Sequence, residues 1–351
     1  MVAPLDIAGR LVGPGQPCFI IAEAGVNHNG SLELALELVQ AAADCGADAV
    51  KFQTFTAAEV ATPQAPKAAY QRATGDGEQE SQYAMLERLE LSPEAHRALQ
   101  ARCRQLGLIF LSTPFGPASA DLLDDLDLPA FKLPSGEVTN LPFLRQVAAK
   151  GRPVILSTGM CDLDEVGAAV AALDQAGCPA LALLHCVSAY PADPAQANLR
   201  AMASLAQAFG RPVGFSDHTP GNEVALAAVA LGATILEKHF TLDRDLPGPD
   251  HRASAEPEEF KALVTGVRKV ESALGDGRKA LQACEREIRD VARRSLVAAR
   301  DIAAGQLLAA ELLLLRRPGT GLGPEWLPRL LGRPAARDIA AGQLLSLEMI
   351  A

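Results

Sequence analysis

Aromatic residues are scarce in this chain: 351 residues include one Trp, three Tyr and eleven Phe. Excess positive charge is missing too, since 32 Lys and Arg face 42 Asp and Glu, a formal net charge of −10. With no Lys/Arg stripe interleaved with aromatics, nucleic acid and anionic membrane surfaces are excluded as main partners. No apolar run reaches the roughly 18 residues needed to span a bilayer. The opening MVAPLDIAGRLVGPGQ lacks a basic segment followed by an apolar one, as a secretion signal would have. A soluble, cytoplasmic protein is therefore expected. The seven cysteines (18, 45, 103, 161, 178, 186, 284) show no CxxC spacing, which leaves no redox or zinc framework and reads as reduced structural thiols. An anionic small molecule stays open as a ligand, because a few buried lysines decide that and net charge does not.

What the chain does have is length and apolar content. At 351 residues and 49% hydrophobic, it is large enough for a main core and a small satellite. Eight short apolar, β-branched runs recur between helical patterns: CFIIAEAG, DAVKFQ, LIFLST, AFKLPSGE, PVILSTGM, LALLHCVSAYP, PVGFSDH and ATILEKHF. Strands alternating with helices are the signature of a parallel sheet. Eight units in about 270 residues fit a closed (β/α)8 TIM barrel better than an open sheet. Helical spacing is explicit in Leu32, Leu36, Val39 and Ala43, with Gly46 where a stop belongs. The barrel is expected over 1–280 and a small β-rich domain over 281–351. In that tail the nine residues RDIAAGQLL occur twice, at 300–308 and 337–345, each entering a turn at Gly305 or Gly342. Read without further context, the repeat is a duplicated hairpin that adds stability or a dimer contact.

The ends of the apolar runs carry the chemistry. In order they bring Glu23 with Asn27 and His28, Lys51 with Gln53, Ser112 with Thr113, Lys132 with Ser135 and Glu137, Ser157 with Thr158, His185 with Ser188 and Tyr190, Ser216 with Asp217 and His218, and Glu237 with Lys238 and His239. In a barrel all of these converge on the C-terminal rim, where active sites are built. Each Ser or Thr singly could be a helix cap or turn residue. Lys51 and Lys132 stand inside apolar strands, where an ammonium is costly unless an anion pairs with it. The alternatives are an internal pair with Glu23 or Glu137, or a bound phosphate or carboxylate cradled also by Thr113, Ser135, Ser157 and Ser216. His218 and His239 end neighbouring strands, and two neutral imidazoles suit Mn2+, Co2+, Fe2+ or Zn2+ with water or substrate completing the shell. Two hydrogen-bonded core histidines would give the same spacing.

The motifs AEAGVNHNG, DAVKFQ, STPF, KLPSGE, ILSTGM, LLHCVSAYP, GFSDHT and EKHFTLDRDLPGPDH, in this order, resemble the N-acetylneuraminate (sialic acid) synthase family, which includes legionaminic and pseudaminic acid synthases. RRSLVAARDIAAGQLL and the following RRPGTGLGP resemble that family's C-terminal antifreeze-like (SAF, β-clip) domain. The resemblance covers nearly the whole chain. It implies condensation of phosphoenolpyruvate with the open-chain aldehyde of an N-acylated mannosamine-type sugar, N-acetylmannosamine or 2,4-diacetamido-2,4,6-trideoxymannose. Phosphate is released and a nine-carbon 2-keto acid formed.

It also implies roles: His218 and His239 for a divalent metal, Mn2+ first, with Mg2+ or Co2+ as alternatives; Lys51, Lys132, Thr113, Ser135, Ser157 and Ser216 for phosphoenolpyruvate; Glu137 for proton handling during water addition. Tyr190 and Asp250 match sugar contacts, and Glu23 a substrate-hydroxyl or supporting contact. Arg317, with Arg316 the weaker candidate, is expected to reach the sugar's N-acyl group from a partner subunit in a homodimer with exchanged SAF domains.

Two departures touch the acceptor: Ser188 stands where some sialic acid synthases have Asn, and no Asn occurs in the long insertion 54–91, where some relatives place a phosphate-contacting one. That insertion reads as a helix-bearing loop over the barrel mouth. The EAGVNHNG opening favours the neuraminate and legionaminate branches. Competing readings are another phosphoenolpyruvate-dependent 2-keto-3-deoxy acid synthase, a Schiff-base aldolase using Lys132, and a non-catalytic carbohydrate-binding protein.

Overall fold

A computed structural model of the chain describes residues 2–66 and 81–351. The chain divides into two compact units that meet between Gly275 and Asp276. A short antiparallel hairpin comes first, β1 (Leu5–Ile7) and β2 (Arg10–Val12). Eight parallel strands then form one sheet: β3 (Phe19–Gly25), β4 (Ala49–Thr54), β5 (Ile109–Pro114), β6 (Phe131–Leu133), β7 (Val154–Ser157), β8 (Leu181–Cys186), β9 (Val213–Asp217) and β10 (Ile235–His239). The order β5-β4-β3-β10-β9-β8-β7-β6 closes the first strand onto the last, and β5 packs beside β6. This is the (β/α)8 barrel expected from the alternation of strand and helix patterns.

Period-two alternation splits each strand. Outward residues such as Ile20, Val50, Phe110, Leu156, Leu183 and Phe215 join the large core beneath the surrounding helices. Inward residues at the N-terminal end are apolar: Phe19, Ile21, Ala49, Leu111, Ile155, Leu184 and Ile235 pack with Leu5, Ile7 and Val12 of the hairpin. The hairpin thus seals the bottom of the barrel. In this layer Gly214 has to be glycine, because a Cβ would lie 2.4 Å from the Ile235 carbonyl oxygen and 2.7 Å from Leu184 Cδ2. One turn further up the same inward rows become Glu23, Lys51, Thr113, Lys132, Ser157, Ser216 and Glu237. The apolar floor therefore isolates a polar layer from water on one side.

The helices begin where short polar residues can cap them. Ser31, Ser92 and Asp162 each accept from a first-turn backbone N–H, and Asp162 forms a reciprocal box with Glu165. These caps account for several polar residues of the loops without function. The insertion 54–91 contributes helices Ala57–Val60 and Gln82–Arg88, and residues 67–80 of the expected mouth-covering loop lie outside the described residues. Among the described residues no helix is long and apolar enough to cross a membrane.

The second unit explains the repeat. Its two strands, β11 (Ser295–Ala298) and β12 (Leu313–Arg316), pair antiparallel. The duplicated segments make isolated bridges rather than extended strands, and they pair with each other. Ile302 and Ile339 exchange both backbone hydrogen bonds at 2.9 Å. Ala304 N donates to Asp338 and Ala341 N to Asp301, each at 2.7 Å, while Gln306 and Gln343 each accept from their own turn at 3.1 Å. Gly305 and Gly342 adopt φ +81° and +80°, a conformation that favours glycine. The two copies are thus related by a local two-fold, in which Asp301 and Asp338, Ile302 and Ile339, Gly305 and Gly342, and Gln306 and Gln343 make matching contacts. Ile302 and Ile339 lie buried in the unit's own core with Leu308, Leu345 and Met349.

Candidate active site

The C-terminal rim opens into a cavity of about 530 Å³. Its wall contains Glu23, Lys51, Thr113, Lys132, Ser135, Ser157, Tyr190, Ser216, His218, His239 and Asp250, twelve named positions with Glu237. Lys51 Nζ donates to Thr113 Oγ1 at 2.9 Å and lies 2.5 Å from Glu23 Oε2. Lys132 Nζ donates to Ser157 Oγ at 2.8 Å and sits 3.3 Å from Glu237 Oε1. Ser216 Oγ donates to the same Glu237 oxygen at 2.9 Å. Glu237 Oε2 has no hydrogen-bond partner among the described residues and is 3.8 Å from Lys51. Glu237 therefore bridges the two lysines, a role hidden in the sequence between Leu236 and Lys238; its inward parity with His239 was the available signal.

Burial sets the electrostatics of this layer. It pushes the Glu23 carboxyl up to about 7, with Lys51 opposing and Glu237 adding to the rise. Burial acts to raise Glu237 as well, but Lys132 and Lys51 outweigh it and hold that carboxylate at about 2. Burial lowers Lys132, and for Lys51 the same effect is overcome by Glu23 and Glu237, which raise it. Burial alone takes Asp250 up to about 6, against a pull from Lys51. Burial thus raises Glu23 and Asp250 above the usual carboxylate range, while the two lysines hold Glu237 below it.

Glu23 Oε1 accepts from Gln53 Nε2 at 3.3 Å. A Cβ on Gly25, at φ +53°, would stand 3.2 Å from Glu23 Oε1, 3.4 Å from Gln53 and 3.6 Å from Asp250. The bare glycine lets these three groups converge.

His218 and His239 lie edge to face with ring centroids 5.4 Å apart and planes inclined at 66°, and the Tyr190 ring packs on His218 at 4.3 Å. His218 Nδ1 lies 2.7 Å from the Val187 carbonyl oxygen, so Nδ1 carries the proton and Nε2 presents a lone pair. Burial lowers the pKa of both imidazoles, and His218 lowers His239 further. Neutral rings with free lone pairs are what a divalent cation requires. Among the described residues there is no group of three or more His, Cys, Asp or Glu placed to hold a metal ion.

Not every candidate arrives. Glu137 is absent from the cavity wall: Ser135–Glu137 is a 3-10 turn, and Glu137 Oε2 accepts instead from Asn140 Nδ2 at 2.7 Å. With three residues per turn, two steps from Ser135 rotate the side chain away from the cavity, which sequence spacing does not reveal. Arg317, expected to act from a partner subunit and so not tested by a single chain, is exposed on the second unit, where its Nε donates to the Ala292 carbonyl oxygen at 3.1 Å. Ser112 is structural, joined through Thr54 to His96 at 2.7 and 2.8 Å. Thr158 and His185 are tied to backbone carbonyl oxygens of Leu184 and Ala197.

His28 lies off the site as a buried histidine whose Nδ1 accepts from Gly30 N at 3.0 Å. Burial lowers its pKa from 6.5 to about 4. A base neutral when folded and protonated when unfolded contributes fully above the unfolded value, and that contribution is lost as pH falls from 6.5 toward 4. The stability advantage of the native chain over His28→Gln should thus shrink by about 2 kcal/mol between pH 7 and pH 5. Urea unfolding at the two pH values reads it, and a constant difference would show that His28 is not held neutral.

A family model described as the NeuB family matches residues 38–279, and the SAF domain model matches 293–351. The chain is 48% identical over 324 residues to N,N'-diacetyllegionaminic acid synthase of Legionella pneumophila, covering 91% of each. Against the same-named synthase of Campylobacter jejuni it is 47% identical, covering 90% of this chain and 94% of the relative. The crystal structure of N-acetylneuraminic acid (sialic acid) synthetase from Leptospira borgpetersenii in complex with citrate superposes with a TM-score of 0.73 at 35% identity, covering 82% of this chain and 95% of that one. On the strength of these matches along nearly its whole length, the chain belongs to the NeuB family and carries a C-terminal SAF domain.

Proposed function

We propose that this chain is a metal-dependent cytoplasmic synthase. It joins phosphoenolpyruvate to the open-chain aldehyde of an N-acylated mannosamine-type sugar, releasing phosphate and giving a nine-carbon sialic-acid-type 2-keto acid. The observation that carries this reading is the pairing, in one cavity, of two buried ammonium groups with two adjacent imidazoles whose charged form burial disfavours. Lys51 with Thr113, and Lys132 with Ser157, bind the anion, and Ser135 and Ser216 add short donors. Glu23 and Glu237 hold the ammonium groups in place before substrate arrives, so internal ion pairing and anion binding are two states of one device.

An entering anion raises Glu23 further, since like charge disfavours ionisation. Glu23, released from its ion pair with Lys51, then takes up a proton beside the reacting atoms and has the proton-handling role first expected of Glu137. C3 of the enol bonds to the aldehyde carbon, whose oxygen gains a proton. Water adds at C2, its first proton balancing the one taken up by the aldehyde oxygen; the C2–O bond to phosphate then breaks as the new C2 hydroxyl becomes the ketone, and its proton leaves with phosphate. Asp250 and Tyr190 orient the sugar. His218 and His239 would hold the divalent cation, Mn2+ ahead of Mg2+ or Co2+, which supplies Lewis-acid polarisation of the aldehyde oxygen. The enzyme is further taken as a homodimer with exchanged SAF domains, with Arg317 of the partner subunit on the N-acyl group; the exposure of Arg317 supports this.

For the acceptor, the proposal is 2,4-diacetamido-2,4,6-trideoxymannose. Higher identity to the legionaminic acid synthases than to the sialic acid synthetase supports it. So does the apolar part of the cavity wall, Val26, Val60, Met85, Leu86, Leu89 and Phe115, which suits a C6 methyl and acetamido methyls. Burying a methyl rather than a hydroxyl there should give a kcat/KM preference of at least about tenfold over N-acetylmannosamine. Parallel assays with product masses test it, and equal or better use of N-acetylmannosamine would reverse the assignment.

One observation favours a second reading: burial lowers the Lys132 pKa, as an imine-forming lysine needs. Borohydride trapping of a keto acid on Lys132 would establish that chemistry in place of the synthase.

A further inference from the structure

One buried ion pair takes no part in the reaction above. Asp217 and Lys238 are register partners in the ladder between β9 and β10. They alternate with Ser216 and His218 on one strand end and with Glu237 and His239 on the other, all four of which line the cavity. By parity Asp217 and Lys238 turn away from the cavity, yet they are only 1% and 5% exposed. Lys238 Nζ donates to Asp217 Oδ2 at 2.7 Å and to the Thr219 carbonyl oxygen at 2.8 Å. Asp217 Oδ1 accepts from Thr219 N at 2.9 Å and from Thr219 Oγ1 at 2.7 Å. Four hydrogen bonds thus close a three-residue turn onto β10, and the residue enclosed in that turn is His218.

We propose that the Asp217–Lys238 pair is a positioning device that sets His218 across from His239. Both are positioning residues for the histidine pair, and the proposal rests on the reading that this pair holds a divalent cation. A buried ion pair is weak evidence of stabilisation, because a matched apolar replacement is often neutral. What this pair does specifically is fix a backbone. β9 ends at Asp217, so His218 has no ladder partner of its own. Its main chain is held on one side by Ala192 N, which donates to the His218 carbonyl oxygen at 2.8 Å, and on the other by Thr219 through Asp217 and Lys238; its ring is held by Val187 and Tyr190. His239, by contrast, sits within β10 and is paired to Glu23 of β3. In a site with two protein ligands, a displacement of one imidazole is not compensated by others.

The test uses the full chain carrying Asp217→Asn together with Lys238→Met, since removing one charge alone leaves its partner buried and unpaired. Stripped of metal with EDTA, wild type and variant are titrated with Mn2+ alone and followed by electron paramagnetic resonance. Unfolding temperature, steady-state kinetics and histidine 1H–15N spectra are recorded beside them. The variant should unfold cooperatively within a few degrees of wild type and bind Mn2+ about 10–100-fold more weakly. Its kcat should fall with the KM for phosphoenolpyruvate unchanged, and His218 resonances should shift while those of His96 stay. Unchanged Mn2+ affinity in the folded variant overturns the proposal, and so does a variant that fails to fold, which would make the pair a stability element. If wild type itself binds no Mn2+, the cation reading falls separately, and unmoved His218 resonances in the variant would then overturn the positioning role.

Discussion

Replacing Lys132 with methionine should lower kcat/KM for phosphoenolpyruvate by about two to three and a half orders of magnitude. Removing one partner of a buried charged pair costs about 3–5 kcal/mol, and each 1.4 kcal/mol is roughly tenfold. Lys132 is 3% exposed and has a Glu237 oxygen at 3.3 Å and the Ser157 hydroxyl at 2.8 Å. Its loss leaves Glu237 bridged on one side only and withdraws one of the two positive charges that face the substrate anion. Because the lost interaction is with the ground-state anion as well, KM should rise along with any fall in kcat. Steady-state kinetics across phosphoenolpyruvate concentration decide it. A variant with native KM would show that the anion is held elsewhere, and the double replacement of Lys132 and Glu237 by Met and Gln would separate lost binding from an unpaired charge.

Turnover should also vanish on chelation and return with Mn2+, and His218→Ala should remain at least about a hundredfold less active at saturating Mn2+. Changing a residue that merely orients a metal ligand costs about 10–100-fold, so deleting one of two protein ligands sets a higher floor. His218 is a good subject because its Nδ1 is committed to Val187 and its ring is held neutral by burial. The variant removes a lone pair without removing a charge. Full activity after exhaustive chelation would contradict the metal assignment and leave the two imidazoles as proton carriers.

Much of this architecture is written locally. Strand parity is strict, so an inward apolar residue at the bottom of a strand and a Lys, Glu or His two or four positions later identify both the barrel and its working end. Phe19, Ile21 and Glu23 show the pattern on one strand, and Ile235, Glu237 and His239 on another. What was not legible depends on geometry that period two does not encode. Glu137 leaves the site because the segment after β6 is a 3-10 turn. Glu237 does not stand out among the charged residues EKH until both lysines are seen to converge on it. Ser112 and Thr113 are neighbours with opposite fates, one bonded to Thr54, and through it to His96, outside the barrel and the other to Lys51 within it. Parity distinguishes them once the strand register is known. The repeat RDIAAGQLL was visible as a repeat, but its self-pairing through Ile302 and Ile339 needs a two-fold that only the folded chain displays.

The most direct test of the central claim is phosphate release from phosphoenolpyruvate by purified, metal-free protein, with Mn2+ added back and an N-acylated mannosamine-type sugar present or omitted. The account predicts one phosphate per nine-carbon 2-keto acid identified by mass, and background release when either Mn2+ or the sugar is left out. Phosphate release that is independent of the sugar, or no release with either sugar although phosphoenolpyruvate and Mn2+ both bind, would contradict it.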